Sequence, residues 1–382
     1  MKTSPFIYGV TVSTNAFTNR EIEMEKLKSN LTGGINTMII SPRRWGKSSL
    51  VEKVIFDINK KNDTYKTVIL DLFSASSKEE FLEVFAKEVI KASSSKWEDW
   101  ISSGRNFFKS LLPKLSVGAS PDTDFSISFD WKELDKHCDE ILNLPETIAQ
   151  KKGIRFIICI DEFQNLAAVK GFTDFEKKMR AVWQRQKSVT YCLYGSRRHM
   201  MTEIFDSPSK PFYRFGDIMI LHKIKRAKWV TFIAKSFYET NKHITNDNSE
   251  KIAALMKDTP WYVQQLAHYT WRFTQNTAGV NEINAALNEL IYANTPLYQK
   301  EIETISATQL NLLKAVARGE TQFTSTAVMQ EYVLGTPRNV SKNKSILINN
   351  DIIHAVNGLY EFIDPAFELW FNKQFFNKSY LL

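Results

Sequence analysis

Asn36-Thr-Met-Ile-Ile-Ser-Pro-Arg-Arg-Trp-Gly-Lys-Ser-Ser-Leu50 is the stretch on which the fold turns. Met38, Ile39 and Ile40 make a short apolar strand, and Gly46-Lys47-Ser48 ends the loop behind it and opens a helix. Leu50, Val51, Val54, Ile55 and Ile58 then recur at helical spacing. At a helix N-terminus the backbone N–H groups point outward and the dipole favours negative charge, so a triphosphate can dock there. In that geometry Lys47 reaches the β/γ-phosphates and the Ser48 hydroxyl ligates Mg2+. The pattern G-x-x-x-x-G-K-[ST] is met only in its second half, because Ser41 and then Pro42 stand where its first glycine would begin the loop. Taken alone, Gly-Lys-Ser is equally an ordinary strand-to-helix turn.

A second half-site lies far downstream. Ile154-Arg-Phe-Ile-Ile-Cys-Ile-Asp-Glu-Phe163 is an apolar run that ends in two carboxylates. Buried parallel strands have this continuous hydrophobic character, and ligands bind at their C-terminal ends. Asp161 suits the hold on Mg2+, and Glu162 suits activation of an attacking water. A third strand, Ser188-Val-Thr-Tyr-Cys-Leu-Tyr-Gly195, leads to Ser196, a candidate to hold the lytic water or the γ-phosphate. Arg197 and Arg198 either face phosphate or start a basic helix. Pro211-Phe-Tyr-Arg214 precedes a further apolar stretch, Ile218-Met-Ile-Leu221. Arg214 there is either a source of transition-state charge, in cis or from a neighbouring subunit, or a surface arginine.

With these residues in place, the chain resembles the archaeal-type ATPases of the STAND branch of AAA+ P-loop proteins, in the form widespread in bacteria. The resemblance spans nearly the whole chain. It rests on Phe17-Thr-Asn-Arg20-Glu-Ile-Glu23, Ser41-Pro-Arg-Arg-Trp-Gly-Lys-Ser48, Ile160-Asp-Glu-Phe-Gln164, Gly195-Ser196, Pro211-Phe-Tyr-Arg214 and Asp364-Pro-Ala-Phe-Glu-Leu-Trp370. That family tolerates Pro-Arg-Arg in place of the first loop glycine. The resemblance implies an α/β fold: a five-stranded parallel P-loop NTPase core, with the sensor strand between the loop strand and the Asp-Glu strand, a helical lid and a C-terminal winged helix. It also implies ATP hydrolysis with Mg2+, coupled to a conformational switch. Ser41, Pro42, Arg43, Arg44, Trp45, Gly46, Lys47, Ser48 and Ser49 would then form the ATP/ADP-binding loop, joined by Arg20. The family often has a Gly-x-Pro turn touching the adenine, and Asp258-Thr259-Pro260 lacks its glycine, leaving Pro260 as the candidate contact. Many relatives carry a nuclease-like or repeat region after the winged helix. Here the chain stops at Leu382, and nuclease activity within it is not expected.

Composition fits an intracellular globular protein. The chain has 382 residues, enough for two or three domains, and 43% are hydrophobic, enough for a sizeable core. Cys138, Cys159 and Cys192 have no metal spacing, and two of them fall in expected strands, which argues against a disulfide framework or a zinc site. No secretory leader opens the sequence and no apolar run approaches membrane-spanning length, so a cytoplasmic address without membrane contact is expected. The net charge of +8 suits an anionic partner such as nucleic acid without requiring one.

The organisation is that of an ATPase core over 1–222, a helical lid over 223–300 and a winged helix over 301–382. Residues 5–15 read as extended chain beside the nucleotide. Thr18-x-x-Glu21 reads as a capping box starting a helix through about residue 31. Residues 92–130 break the α/β rhythm. Trp97, Trp100, Phe107 and Phe108 suggest a short helix, and Leu115-Ser-Val117 with Phe125-Ser-Ile-Ser-Phe129, joined through Pro121-Asp122, a β-hairpin. This insertion is either a partner surface or a cover over the sheet. Helices are expected over 307–317, 325–334 and 337–349, and Asn357-Gly358 marks the wing hairpin. Arg338, Asn339, Ser341, Lys342 and Lys344 fall on the outer side of the last helix. They could meet duplex DNA in a major groove, or the winged helix packs on the core or a protein partner. The expected function is an ATP-hydrolysing molecular switch, as a monomer or an oligomer. The alternatives are a DNA-binding initiator or remodelling ATPase, and a non-catalytic ADP-bound scaffold.

Overall fold

The computed structural model describes residues 3–12, 17–60, 63–73, 77–93, 114–116, 126–128, 131–169, 171–356 and 358–382. They form two compact units. One comprises Arg20–Pro42 and Lys47–His222; the other comprises Met1–Asn19, Arg43–Gly46 and Lys223–Leu382.

The first unit alternates helix and strand. It runs α1 (Glu21–Thr32), β1 (Thr37–Ile40), α2 (Lys47–Asn59), β2 (Tyr65–Asp71) and α3 (Lys78–Ala92). A hairpin of β3 (Lys114–Ser116) and β4 (Ser126–Ser128) follows, then α4 (Trp131–Leu142) and α5 (Leu144–Lys152). It ends with β5 (Arg155–Asp161), α6 (Phe172–Trp183), β6 (Val189–Gly195), α7 (Arg198–Asp206) and β7 (Asp217–Ile220). The sheet is parallel, in the order β2-β5-β6-β1-β7. The sensor strand β6 therefore lies between β1 and β5, as the resemblance implied. Central strands buried on both faces explain the unbroken apolar runs: every residue of β1 and β6 is buried, whereas edge strand β2 alternates toward its end. Phe156, Ile158 and Ile160 of β5 meet Phe81 and Phe85 of α3 and Trp183 of α6 in one core, where Trp183 stacks on Tyr191 at 4.1 Å. Truncating any of the buried isoleucines to alanine would cost about 2–5 kcal/mol.

The start of α1 differs from the expected capping box. The helix opens after Arg20, which makes no side-chain cap, and Asn19 is left-handed at φ 58. Thr18 thus lies too far upstream to reach the first turn, and its hydroxyl instead accepts from the Asn19 amide. The hairpin of the insertion is present. The short helix expected around Trp97, Trp100, Phe107 and Phe108, the turn at Pro121-Asp122, and Asn357 lie outside the described residues.

The second unit is mainly helical. Its elements are α8 (Arg226–Glu239), β8 (His243–Ile244), α9 (Asn246–Leu255), α10 (Pro260–Phe273), β9 (Thr277–Ala278) and α11 (Val280–Thr304). The winged helix adds α12 (Ala307–Ala317), α13 (Thr326–Glu331), α14 (Pro337–Asn349), the hairpin β10 (Ile353–Val356) and β11 (Leu359–Phe362), and α15 (Pro365–Phe376). α11 runs without a break past residue 300, so lid and winged helix share a helix. α13 is shorter than its pattern suggested and ends before Val333, whose φ is 51. Trp229, Ile233, Tyr262, Leu266, Leu287, Leu347 and Phe371 belong to one continuous core. The N-terminal segment joins it: Phe6 packs on Phe232 and Phe237, and Ile7 N donates to Gln264 Oε1 at 3.0 Å. Among the described residues, no helix is long and apolar enough to cross a membrane.

Candidate phosphate-binding site

Strand register gathers the candidate residues of the first unit. Ile40 pairs with Gly195, and Ile160 with Leu193, so β1, β5 and β6 end along one edge of the sheet. Ser41, the Asp161–Glu162 pair and Ser196 sit at those ends, and α2 begins with Lys47. Lys47 is buried, with Nζ 3.1 Å from Glu162 Oε1 and 3.7 Å from Asp161 Oδ1. Ser48 Oγ donates to Asp161 Oδ2 at 2.6 Å. Glu162 Oε2 accepts from Ser196 Oγ at 2.8 Å, from Ser196 N at 3.3 Å and from Gln164 Nε2.

The two neighbouring carboxylates are tuned in opposite directions. Burial pushes the Asp161 carboxyl up, and Lys47 and Ser48 only partly offset it. Burial acts the same way on Glu162, but Lys47 and the hydrogen bonds from Gln164 and Ser196 outweigh it and hold that carboxyl below its usual range. Glu162 is therefore kept ionised at neutral pH. Its backbone is left-handed, φ 51 and ψ 39, at the entry to a 3-10 turn spanning Phe163–Ala168. For a residue other than glycine this stores about 1–3 kcal/mol, a cost typical of functional positions. Ser48 and Asp161 present hard oxygen donors within hydrogen-bonding reach of one another, which fits Mg2+. Among the described residues no group of three or more His, Cys, Asp or Glu side chains is placed to hold a metal ion.

Gln164 has a position its sequence context did not reveal. It is buried, it donates to Glu162, and its Oε1 has no hydrogen-bond partner among the described residues. A Cβ on Gly195 would lie 1.8 Å from that Oε1, so the glycine makes room for the glutamine. The one available signal was a polar residue two positions beyond Glu162, directly after Phe163.

The loop itself turns twice through left-handed backbone, at Arg44 (φ 67) and Gly46 (φ 87), and the second turn explains the glycine. Ser41 is fully buried, and its Oγ bonds to Pro42 O at 3.1 Å. Residues 43–46 belong to the second unit, where their side chains meet protein groups. Arg43 pairs with Asp351 and Arg44 with Asp364, each at 3.4 Å. Arg44 also lies over the rings of Trp261 and Tyr262, and Trp45 meets His354 edge-on.

The remaining candidates have contacts of their own. Arg20 is buried and pairs with Glu23 at 2.9 Å. Arg214 is exposed, at φ 52, with its guanidinium over Tyr213. Pro260 occupies the first turn of α10 in the second unit, behind Asp258, which Arg226 holds at 2.9 and 3.1 Å. On α14, Arg338, Asn339, Ser341 and Lys342 are exposed, while Lys344 lies over Tyr360. Arg338 and Lys342 make no ion pair with another described residue.

The family described as a probable winged helix domain matches residues 296–373. Among curated proteins, none matches the sequence. The Walker-type ATPase PABY2304 of Pyrococcus abyssi superposes with a TM-score of 0.67 at 16% identity, covering 95% of this chain and 99% of that one. The ORC2 protein of Aeropyrum pernix, solved as ADPNP-ADP complexes, superposes at 0.57 with 13% identity, covering 95% and 93%. The ORC1 protein of the same organism, solved with DNA, superposes at 0.50 with 12% identity, covering 94% of each chain. At these identities the likeness is one of architecture: the chain has the fold of archaeal-type AAA+ P-loop ATPases that carry a C-terminal winged helix.

Proposed function

We propose that the chain is an ATP-hydrolysing molecular switch whose nucleotide state governs its winged helix. The observation that carries this reading is the convergence of Lys47, Ser48, Asp161, Glu162 and Ser196 at the C-terminal edge of one parallel sheet. On this reading Lys47 leaves its carboxylates for the β/γ-phosphates, and the outward N–H groups at the start of α2 bind the same anion. Ser48 and Asp161 would hold Mg2+, which supplies neutralisation of the charge that develops on the phosphates. Freed of Lys47, Glu162 accepts a proton from the water that attacks the γ-phosphate, and Ser196 positions that water. Arg214 is the candidate for transition-state charge, in its own site or a neighbour's. Arg20 and Pro260 are assigned to nucleotide contact, and the limits 1–222, 223–300 and 301–382 to core, lid and winged helix. The cytoplasm, rich in ATP and Mg2+, is the compartment this function requires.

Titration calorimetry with Mg2+-ATP tests the reading. Wild-type protein is expected to bind and Lys47→Ala to lose binding; a wild type indifferent to Mg2+-ATP would end it. A second reading, in which the switch acts on duplex DNA, is favoured by the exposed cations of α14 and by the DNA complex of the architecturally similar ORC1 protein. Binding of duplex DNA should then weaken steeply with salt, and charge reversal at Lys342 and Lys344 should flatten the slope. A flat salt curve for the wild type would leave a protein partner as the target.

A further inference from the structure

The sequence carries two conspicuous motifs whose relation only the structure reveals: Pro42-Arg-Arg-Trp45 in the loop and Asp364-Pro-Ala-Phe-Glu-Leu-Trp370 near the end of the chain. Arg44 and Asp364, 320 positions apart, are ion-paired within the second unit. Asp364 divides its oxygens between two tasks. Oδ1 caps α15, accepting from Ala366 N at 2.8 Å and Phe367 N at 3.0 Å. Oδ2 faces Arg44 Nη1 and the Tyr298 hydroxyl, both at 3.4 Å. Arg44 is also fixed by its backbone, whose carbonyl accepts from Trp261 N at 3.2 Å, and by the aromatic faces of Trp261 and Tyr262. Arg43 repeats the arrangement with Asp351, just before β10, and Trp45 meets His354 within β10. Three successive loop residues thus grip the wing hairpin and the segments that flank it.

We propose that Asp364, with Asp351 beside it, is a latch on the phosphate loop: it holds Arg44 where a nucleotide phosphate would otherwise hold it, and nucleotide binding releases it. This rests on the loop being an ATP site. At 3.4 Å the Arg44–Asp364 pair is long, and both partners keep some exposure. A phosphate oxygen forms shorter, charge-assisted bonds to arginine, at about 2.7–2.9 Å, and competes well for such a cation. Because Asp364 also caps α15, release of Arg44 leaves the helix intact while freeing its attachment to the loop. Burial holds the Asp364 carboxyl above its usual range, against the lowering by Arg44, the Phe367 and Ala366 amides and the Tyr298 hydroxyl.

Titration of mant-ATP with Mg2+ into wild type, Asp364→Asn, Arg44→Ala and the double variant tests the latch. Asparagine caps a helix as well as aspartate does, so α15 is preserved in the variant. The latch predicts that Asp364→Asn binds about two- to fivefold more tightly than wild type, the range of a partly exposed ion pair. It also predicts that the double variant binds no better than Arg44→Ala. Unchanged affinity in Asp364→Asn would overturn the latch. So would an equal gain in the Arg44→Ala background, which would mean that only a nearby negative charge had been removed. Absence of binding by the wild type would instead overturn the ATP reading, and the latch with it.

Discussion

Lys47→Met separates the electrostatics of the site from its function, because its effect is expected without any nucleotide. The ammonium lies 3.1 Å from one carboxylate and 3.7 Å from the other, and all three side chains are largely buried. With an effective dielectric constant of about 20, those distances give gross attractions of roughly 5 and 4.5 kcal/mol. Most of this is offset by desolvation, and the bonds from Ser48, Gln164 and Ser196 survive the substitution. A net loss of about 2 kcal/mol at pH 8 is expected. The pH dependence has a definite sign. In the wild type the Glu162 carboxyl is depressed, so its contribution is present above the unfolded value and is lost as pH falls through the folded one. Without Lys47 both carboxyls lose the charge that lowers them and shift upward, so protonation on acidification stabilises the variant relative to the wild type. The gap between the two proteins should therefore narrow from pH 8 to pH 5. Urea unfolding followed by circular dichroism, without nucleotide, measures it. A variant within about 0.5 kcal/mol of wild type at both pH values would refute the pairing of Lys47 with the carboxylates.

Two further substitutions probe the supporting structure. Gly195→Ala places a methyl group 1.8 Å from Gln164 Oε1 and 2.8 Å from Met201 Sδ, so Gln164 must leave Glu162. A destabilisation of about 1–3 kcal/mol together with a large loss of ATP turnover is expected, by thermal unfolding and phosphate release. Glu176 of α6 is buried with Oε1 lacking a hydrogen-bond partner among the described residues, and burial pushes its carboxyl up to about 7 despite Lys210. Its raised value means the folded state binds the extra proton, so stability falls as pH rises from the unfolded value toward 7. Glu176→Gln should abolish that slope and stabilise the protein by about 1–2 kcal/mol at pH 8 after allowance for screening, as urea unfolding at several pH values would register.

What could be read from the residues was what local pattern controls. Central strands buried on both faces must be unbroken apolar runs, so β1, β5 and β6 announced themselves, and with them the positions of Lys47, Asp161, Glu162 and Ser196. α14 and the wing were equally plain, because helical spacing and a two-residue turn are short-range signals. The capping box at Thr18 failed because the same residues satisfy a left-handed turn at Asn19. Burial of Gln164 depends on the 3-10 turn and on the absent side chain of Gly195, neither of which has a periodic signature. The partners of Arg43 and Arg44 were hidden by distance along the chain, since only the folded second unit brings Asp351 and Asp364 to them.

Glu162→Gln tests the central claim most directly. Phosphate release from ATP with Mg2+ should be measurable for the wild type and fall to background in the variant, while calorimetry finds that both bind the nucleotide. Glutamine preserves the shape of the side chain but cannot take the proton of the attacking water. Turnover by the variant at the wild-type rate would contradict the role given to Glu162, and a wild type that neither binds nor hydrolyses ATP would contradict the account as a whole.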